Sequence, residues 1–196
     1  NGLHLLTSTD LKEAKVLAGE LEQINKERKE IQEETVAEAE SLFNHHVDME
    51  KDRVIVLASE IFHPGVIGIA ASRLVDKYQR PTVLIALEAG QGKGSGRSIP
   101  RFNLFKSFTD CSGHLIQFGG HAYAAGLSIK EDQVEAFRNA MNEVGHRYLT
   151  EEDLIPEVRV DAVLSLEEIG RPLYSRMVLL EPFGTENPVP SFLSQG

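Results

Sequence analysis

The chain has a single cysteine, Cys111, among 196 residues. An internal disulfide is thereby excluded, which fits a reducing cytoplasm. With so few thiols a zinc site would need histidines and carboxylates, and no suitable spacing of these is found. No apolar run approaches the ~18 to 20 residues of a membrane-crossing helix, and no signal peptide opens the chain. No methionine opens it either, so the start reads as a truncation. Acidic side chains are missing from one interval: none lies between Glu88 and Asp110, while Lys93, Arg97, Arg101 and Lys106 all fall inside it.

What is present is ordinary for a globular protein. The apolar fraction is 41%, and the length suffices for one substantial core and a second small element. The net charge of −10 looks hostile to nucleic acid, but its distribution is uneven. Residues 51–130 carry 10 basic and 5 acidic side chains, and both flanks are strongly acidic. A local positive field can steer a polyanion to one place on an acidic protein.

Two glycine-rich stretches lie in the basic part. The first is Phe118-Gly119-Gly120-His121-Ala122-Tyr123-Ala124-Ala125-Gly126. Its glycines permit positive φ and close backbone approach, and the histidine can donate to an anionic oxygen. The small residues keep the surroundings of His121 uncrowded. A Gly-Gly turn beside a half-buried, satisfied histidine reads the same residues without a ligand. The second stretch runs from Gly90 to Arg101. In a strand, Ser95 and Arg97 fall on one face, and a hydroxyl beside a planar guanidinium suits a phosphate. The spacing is not that of an ATP-binding loop, and a solvated hairpin loop is the alternative.

Periodicity predicts a helix from Leu11 to about Asn44 after a Thr9-Asp10 cap, with a narrow apolar stripe through Ala14, Leu17, Leu21, Ile24 and Ile31. Its length suits a connector between two bodies. Residues 1–9 suggest no regular structure. Strands are expected at 53–59, 81–87, 94–99 and 125–129, and helices at 66–78, 103–112 and 132–149. The strand–helix–strand order at 53–87 implies a parallel crossover. A strand at 158–164 and an interrupted helix at 166–180 follow, and three prolines then break residues 181–192.

Four of these stretches together resemble one family. Phe62-His63-Pro64-Gly65-Val66-Ile67-Gly68-Ile69-Ala70-Ala71-Ser72-Arg73-Leu74 is similar to the W-x-x-G-V-x-G-I-x-A-x-R-L segment of RecJ-type exonucleases, with Phe62 for tryptophan. Lys93-Gly94-Ser95-Gly96-Arg97-Ser98 resembles their K-G-S-x-R-S strand. Gly119-Gly120-His121 through Ala124-Ala125-Gly126 matches the G-G-H-x-x-A-A-G signature of the DHH-associated domain. Pro182-Phe183-Gly184 through Asn187-Pro188-x-Pro190-x-Phe192 resembles the lead-in to the family's OB-fold, with Glu186 where glycine is usual.

The resemblance implies an α/β fold: a mixed-sheet DHH-associated domain at 51–150, after a connector helix at 1–50 and before the start of an OB-fold region at 151–196. It implies the substrate-holding part of a 5′-to-3′ single-stranded-DNA exonuclease of repair and recombination. Its two Mn²⁺ or Mg²⁺ ions would be held by a DHH domain, and no Asp-His-His is present here; His45-His46 read as surface residues. Ser95 and Arg97 align with the pair that holds the 5′-phosphate. His121 aligns with the signature catalytic histidine, which contacts the scissile or adjacent phosphate, and Gly119 and Gly120 let the nucleotide backbone come close. Arg73, Lys93 and Arg101 are further candidates for strand contacts. The implied partners are single-stranded DNA, a helicase and single-strand-binding protein, with no membrane. An oligonucleotide or cyclic-dinucleotide phosphodiesterase of the same superfamily is an alternative, as is a non-catalytic RNA-binding module like the C-terminal domain of alanyl-tRNA synthetases.

Overall fold

In the computed structural model, which describes residues 2–194, the chain divides into two units, Asn1–Ile155 and Pro156–Gly196. Expectations above that reach residues 1, 195 or 196 extend there outside the described residues. The first unit opens with a short helix, α1 (Gly2–Thr7), where the sequence suggested none. Leu3 and Leu6 stay exposed, so no buried stripe marks it. It is held by local contacts, including His4 Nε2 at 3.2 Å from Glu13 Oε1.

Helix α2 (Leu11–His46) is capped by Asp10, whose carboxylate accepts from the Lys12 N–H at 2.8 Å. At 1.5 Å per residue it is about 54 Å long. Only its second half meets the core, through Gln32, Thr35, Ala39 and Phe43. Phe43 stacks on Tyr78 with centroids 3.8 Å apart, and Glu40 and Glu38 bond Lys77 and Ser59 at 2.6 and 2.9 Å. Upstream, Leu11, Val16 and Ile24 are exposed.

The body follows as β1 (Ile55–Ser59), α3 (Ile67–Tyr78), β2 (Thr82–Glu88), β3 (Gln91–Arg97), α4 (Leu104–Asp110), β4 (Leu115–Gly120), β5 (Ala124–Lys130) and α5 (Val134–Tyr148). One five-stranded sheet has the order β1-β2-β3-β5-β4, with β1 and β2 parallel and every other pair antiparallel. The α/β mixed-sheet fold is thus as the sequence implied. The unbroken apolar run of β1 is explained by burial on both faces. Val54 and Val56 join Phe108, Phe137 and Met141 under α4 and α5. Ile55 and Leu57 join Ala70, Leu74 and Phe43 under α3 and α2.

One strand was not foreseen. Residues 115–120 pair with β5 as β4, so Gly119 and Gly120 belong to a strand end rather than to a free turn. Strand β5 therefore lies between β3 and β4, and one strand separates the segment 94–99 from 119–121. The second unit also differs from expectation. The strand at 158–164 shrinks to β6 (Ala162–Val163), which pairs in parallel with β7 (Phe192–Leu193). The helix at 166–180 shrinks to α6 (Arg171–Met177) between two 3-10 turns. Residues 156–194 contain no buried residue, so no core holds longer elements there.

Candidate nucleic-acid interface

The alternation Gly92-Lys93-Gly94-Ser95-Gly96-Arg97 is a packing pattern. A Cβ on Gly92, Gly94 or Gly96 would fall 2.5, 2.7 or 2.5 Å from Ile85, Leu127 or Leu104, so these positions press on the core beneath α4 and α5. Lys93, Ser95 and Arg97 therefore project from the other face, the one covered in part by α3. The stretch is an inner strand, not a solvated hairpin loop; only Ala89 and Gly90 form the two-residue turn, both at positive φ.

On that face Arg97 is half-buried, and its Nη1 donates to Ser95 Oγ at 3.1 Å and to the Gly96 carbonyl at 2.8 Å. Among the described residues no carboxylate pairs with it, so neither Glu60 nor Glu88 neutralises it. Ser95 lies opposite Gly126 of β5, and Gly126 lies opposite Gly119 of β4. A Cβ on Gly119 would meet nothing within 4 Å, and one on Gly126 only the Gly94 carbonyl at 3.6 Å. The face beyond Ser95 is therefore kept low. Lys93, Gln117, Gly119, Gly126 and Ser128 line a concavity of about 510 Å³ upon it. Lys93 and Ser128 also belong to a neighbouring cavity of about 530 Å³, walled by Glu60, Phe62 and His63.

His121 follows β4. Gly120 has φ +139°, and a Cβ there would lie 2.5 Å from the Ala124 carbonyl oxygen, so glycine is required at that step. The His121 N–H donates to that same oxygen at 2.8 Å. His121 is thus set opposite Ala124, which lies opposite Arg97. Positions 97, 124 and 121 fall in one row, two strand spacings or roughly 10 Å across. The His121 side chain is exposed and has no hydrogen bond among the described residues.

The other candidates are dispersed. Arg73 is exposed on α3, and Lys93 is exposed on β3. Arg101 is engaged by Asp153, its Nε 3.3 Å from Oδ1. His45 and His46 are exposed at the end of α2, with His45 Nδ1 2.7 Å from the Ser41 carbonyl. The Cys111 thiol is buried, which pushes its pKa from 9.0 up to about 11, with Asp110 adding to the rise. Among the described residues no three His, Cys, Asp or Glu side chains gather as metal ligands, so the residues present do not fit a metal centre. Sequence reasoning missed Gly68, whose α3 position lies against both Arg97 and Ser95. The small residues of the Gly68–Ser72 segment were a signal of close helix–sheet approach, but not of what lay beneath.

The site is thus a row on the mixed sheet of an α/β domain: a hydroxyl, a half-buried guanidinium with no carboxylate partner among the described residues, and a Gly-Gly-His step. Residues 51–146 match the DHHA1 domain model, and the chain belongs to the RecJ family that its motifs resemble. It is 42% identical over 194 residues to the single-stranded-DNA-specific exonuclease RecJ of Bacillus subtilis, covering 97% of this chain and 24% of that protein. To the Escherichia coli RecJ it is 34% identical over 200 residues, covering 97% of this chain and 34% of that one. The crystal structure of Thermus thermophilus RecJ in complex with Mn²⁺ superimposes with a TM-score of 0.84 at 32% identity, covering 98% of this chain and 28% of that one. The chain therefore spans about a quarter to a third of the length of these relatives.

Proposed function

We propose that this chain is the substrate-holding part of a metal-dependent 5′-to-3′ single-stranded-DNA exonuclease that acts in repair and recombination. The observation that carries the reading is Arg97: a half-buried guanidinium bonded to Ser95 and a carbonyl, with no acid among the described residues to neutralise it. A buried or half-buried cation without a counter-ion is costly, and a phosphate supplies that counter-ion. The first turn of α3 adds its positive end nearby, which favours an anion further.

In this reading Ser95 and Arg97 hold the 5′-terminal phosphate, the Arg97 fork meeting two oxygens and fixing their orientation. The sugar and base lie over the low face at Gly119 and Gly126. His121 donates to the next phosphate, holding it in line and stabilising charge that develops there. Arg73, Lys93 and Arg101 are assigned to more distant strand contacts. The Thermus thermophilus RecJ structures hold Mg²⁺ or Mn²⁺; no ligand set for either gathers among the described residues of this chain. Alone, the chain is expected to lack nuclease activity. A helicase and single-strand-binding protein are the expected partners, and a reducing cytoplasm the expected setting.

The test compares 5′-phosphorylated single strands, 5′-hydroxyl strands, duplexes and dinucleotides as substrates of the full-length enzyme with Mn²⁺. Arg97→Ala should reduce the preference for a 5′-phosphate by roughly 1.5–3 kcal/mol, the worth of a charged hydrogen-bonded contact. His121→Ala should depress turnover instead. Preferential cleavage of dinucleotides, with longer strands untouched, would move the assignment to the short-oligonucleotide phosphodiesterases. Small, equal effects of both substitutions on every substrate would sink it.

A further inference from the structure

We infer that Gly68 is a positioning residue for Arg97 and thereby sets the preference for a 5′-phosphate, an inference that rests on the reading of Ser95 and Arg97 given above. Gly68 is the second residue of α3. A Cβ built on it would fall 2.7 Å from Arg97 Nη2, 3.0 Å from Ser95 Oγ and 3.3 Å from Arg97 Cζ. These are the nearest atoms, and all belong to the two side chains assigned to the phosphate. No backbone or core atom stands as close, so the fold itself does not forbid a methyl group at this position.

The backbone does not ask for glycine either. Gly68 lies in a helix and its φ is outside the left-handed region, where alanine is the better helix former. What glycine supplies is room. Arg97 Nη1 is already committed to Ser95 and the Gly96 carbonyl, whereas Nη2 and Nε have no protein partner among the described residues. Nη2, the free end of the fork, is the atom that rests against Gly68. A methyl group there would meet the end of a flexible side chain, so the guanidinium would swing aside while the helix stayed in place. The Nη1 bond to Ser95 would open, and the fork would no longer be presented to an anion in a fixed orientation.

Three variants of the full-length protein separate the possibilities: Gly68→Ala, Arg97→Ala and the double substitution. The readout is the ratio of KM values for 5′-hydroxyl and 5′-phosphorylated single-stranded oligonucleotides, with thermal unfolding of each variant beside it. Gly68→Ala is expected to cut that ratio at least fivefold, through KM rather than kcat. In the double variant it should add nothing to the loss caused by Arg97→Ala, and should cost nothing in melting temperature. If Arg97→Ala abolishes the preference and Gly68→Ala leaves it whole, this inference fails and the phosphate reading stands. If Arg97→Ala itself leaves the preference whole, the phosphate reading fails and takes this inference with it. If Gly68→Ala lowers the melting temperature equally with and without Arg97, the glycine serves packing and the inference is overturned.

Discussion

Asn142 holds the start of β1 with one side chain. Its Oδ1 accepts from the N–H groups of Arg53 and Val54 at 2.8 and 3.0 Å, and its Nδ2 donates to the Val54 carbonyl at 3.1 Å. Truncation would strand backbone groups at a part-buried site, and each unsatisfied group costs about 1–3 kcal/mol. Asn142→Ala is therefore expected to destabilise the chain by about 2–4 kcal/mol in urea unfolding, as large an effect as many core deletions. Cys111 behaves differently, because burial favours its neutral thiol and raises the pKa to about 11. A raised pKa contributes stability that is complete below the unfolded value and lost as pH climbs through the folded one. Stability should fall between about pH 9 and pH 11, and Cys111→Ala should flatten that part of the profile. At neutral pH an alkylating reagent should label Cys111 only as fast as the chain opens. Neither role could be read from sequence, since a lone asparagine or cysteine has no pattern to betray its neighbours.

Helix α2 divides into halves with different standing. From Gln32 onward its side chains enter the core beside α3, and before that its apolar stripe is exposed or half-exposed. Phe43→Ala removes a ring that is 7% exposed and stacked on Tyr78, and should cost about 3–5 kcal/mol. Val16→Ala, at a 62% exposed position, should stay within about 0.5 kcal/mol. Equal effects of the two changes in urea unfolding would show that the first half is as firmly docked as the second. The helix was legible because a capping aspartate, a proline-free run and a 3.6-residue stripe all agree there. Strands β1 and β2 were legible because burial on both faces leaves unbroken apolar runs. β4 was not, because Gln117, Gly119 and Gly120 interrupt the alternation and its pairing with β5 is a tertiary fact. In β3 the glycines that suggested a loop are demanded by Ile85, Leu127 and Leu104, residues up to 33 positions away. Ser95 and Arg97 were legible as a pair on one face. The row that adds His121 to them, and the contact with Gly68, depended on knowing which strand lies between and which helix lies above.

At the scale of the whole molecule the question is how a chain of net charge −10 can receive a polyanion. Salt answers part of it: at ~0.1 M the Debye length is about 10 Å, so charges on the far side of a helix 54 Å long contribute little. What a single strand meets is the local set. Between Glu88 and Asp110 that set contains no acid, and Arg97 and Lys93 stand on the same face of β3. If two or three cations engage phosphates, log K for a single strand should fall with log salt at a slope of about −0.7 per phosphate contact, or roughly −1.4 to −2.1 in all. The 196-residue chain with Mn²⁺ should leave the strand uncut in the same experiment, since no group of metal ligands is assembled among its described residues. Arg97→Ala should make the slope shallower by about 0.7, as expected for one lost phosphate contact. Arg147→Ala, which removes a cation on α5 away from the β3 face, alters the net charge by the same amount and should leave the slope alone. A slope that responds equally to both substitutions would mean that the strand senses only the overall field. An unchanged slope after Arg97→Ala, with wild-type binding measurable, would mean that the guanidinium bonded to Ser95 does not meet a phosphate at all.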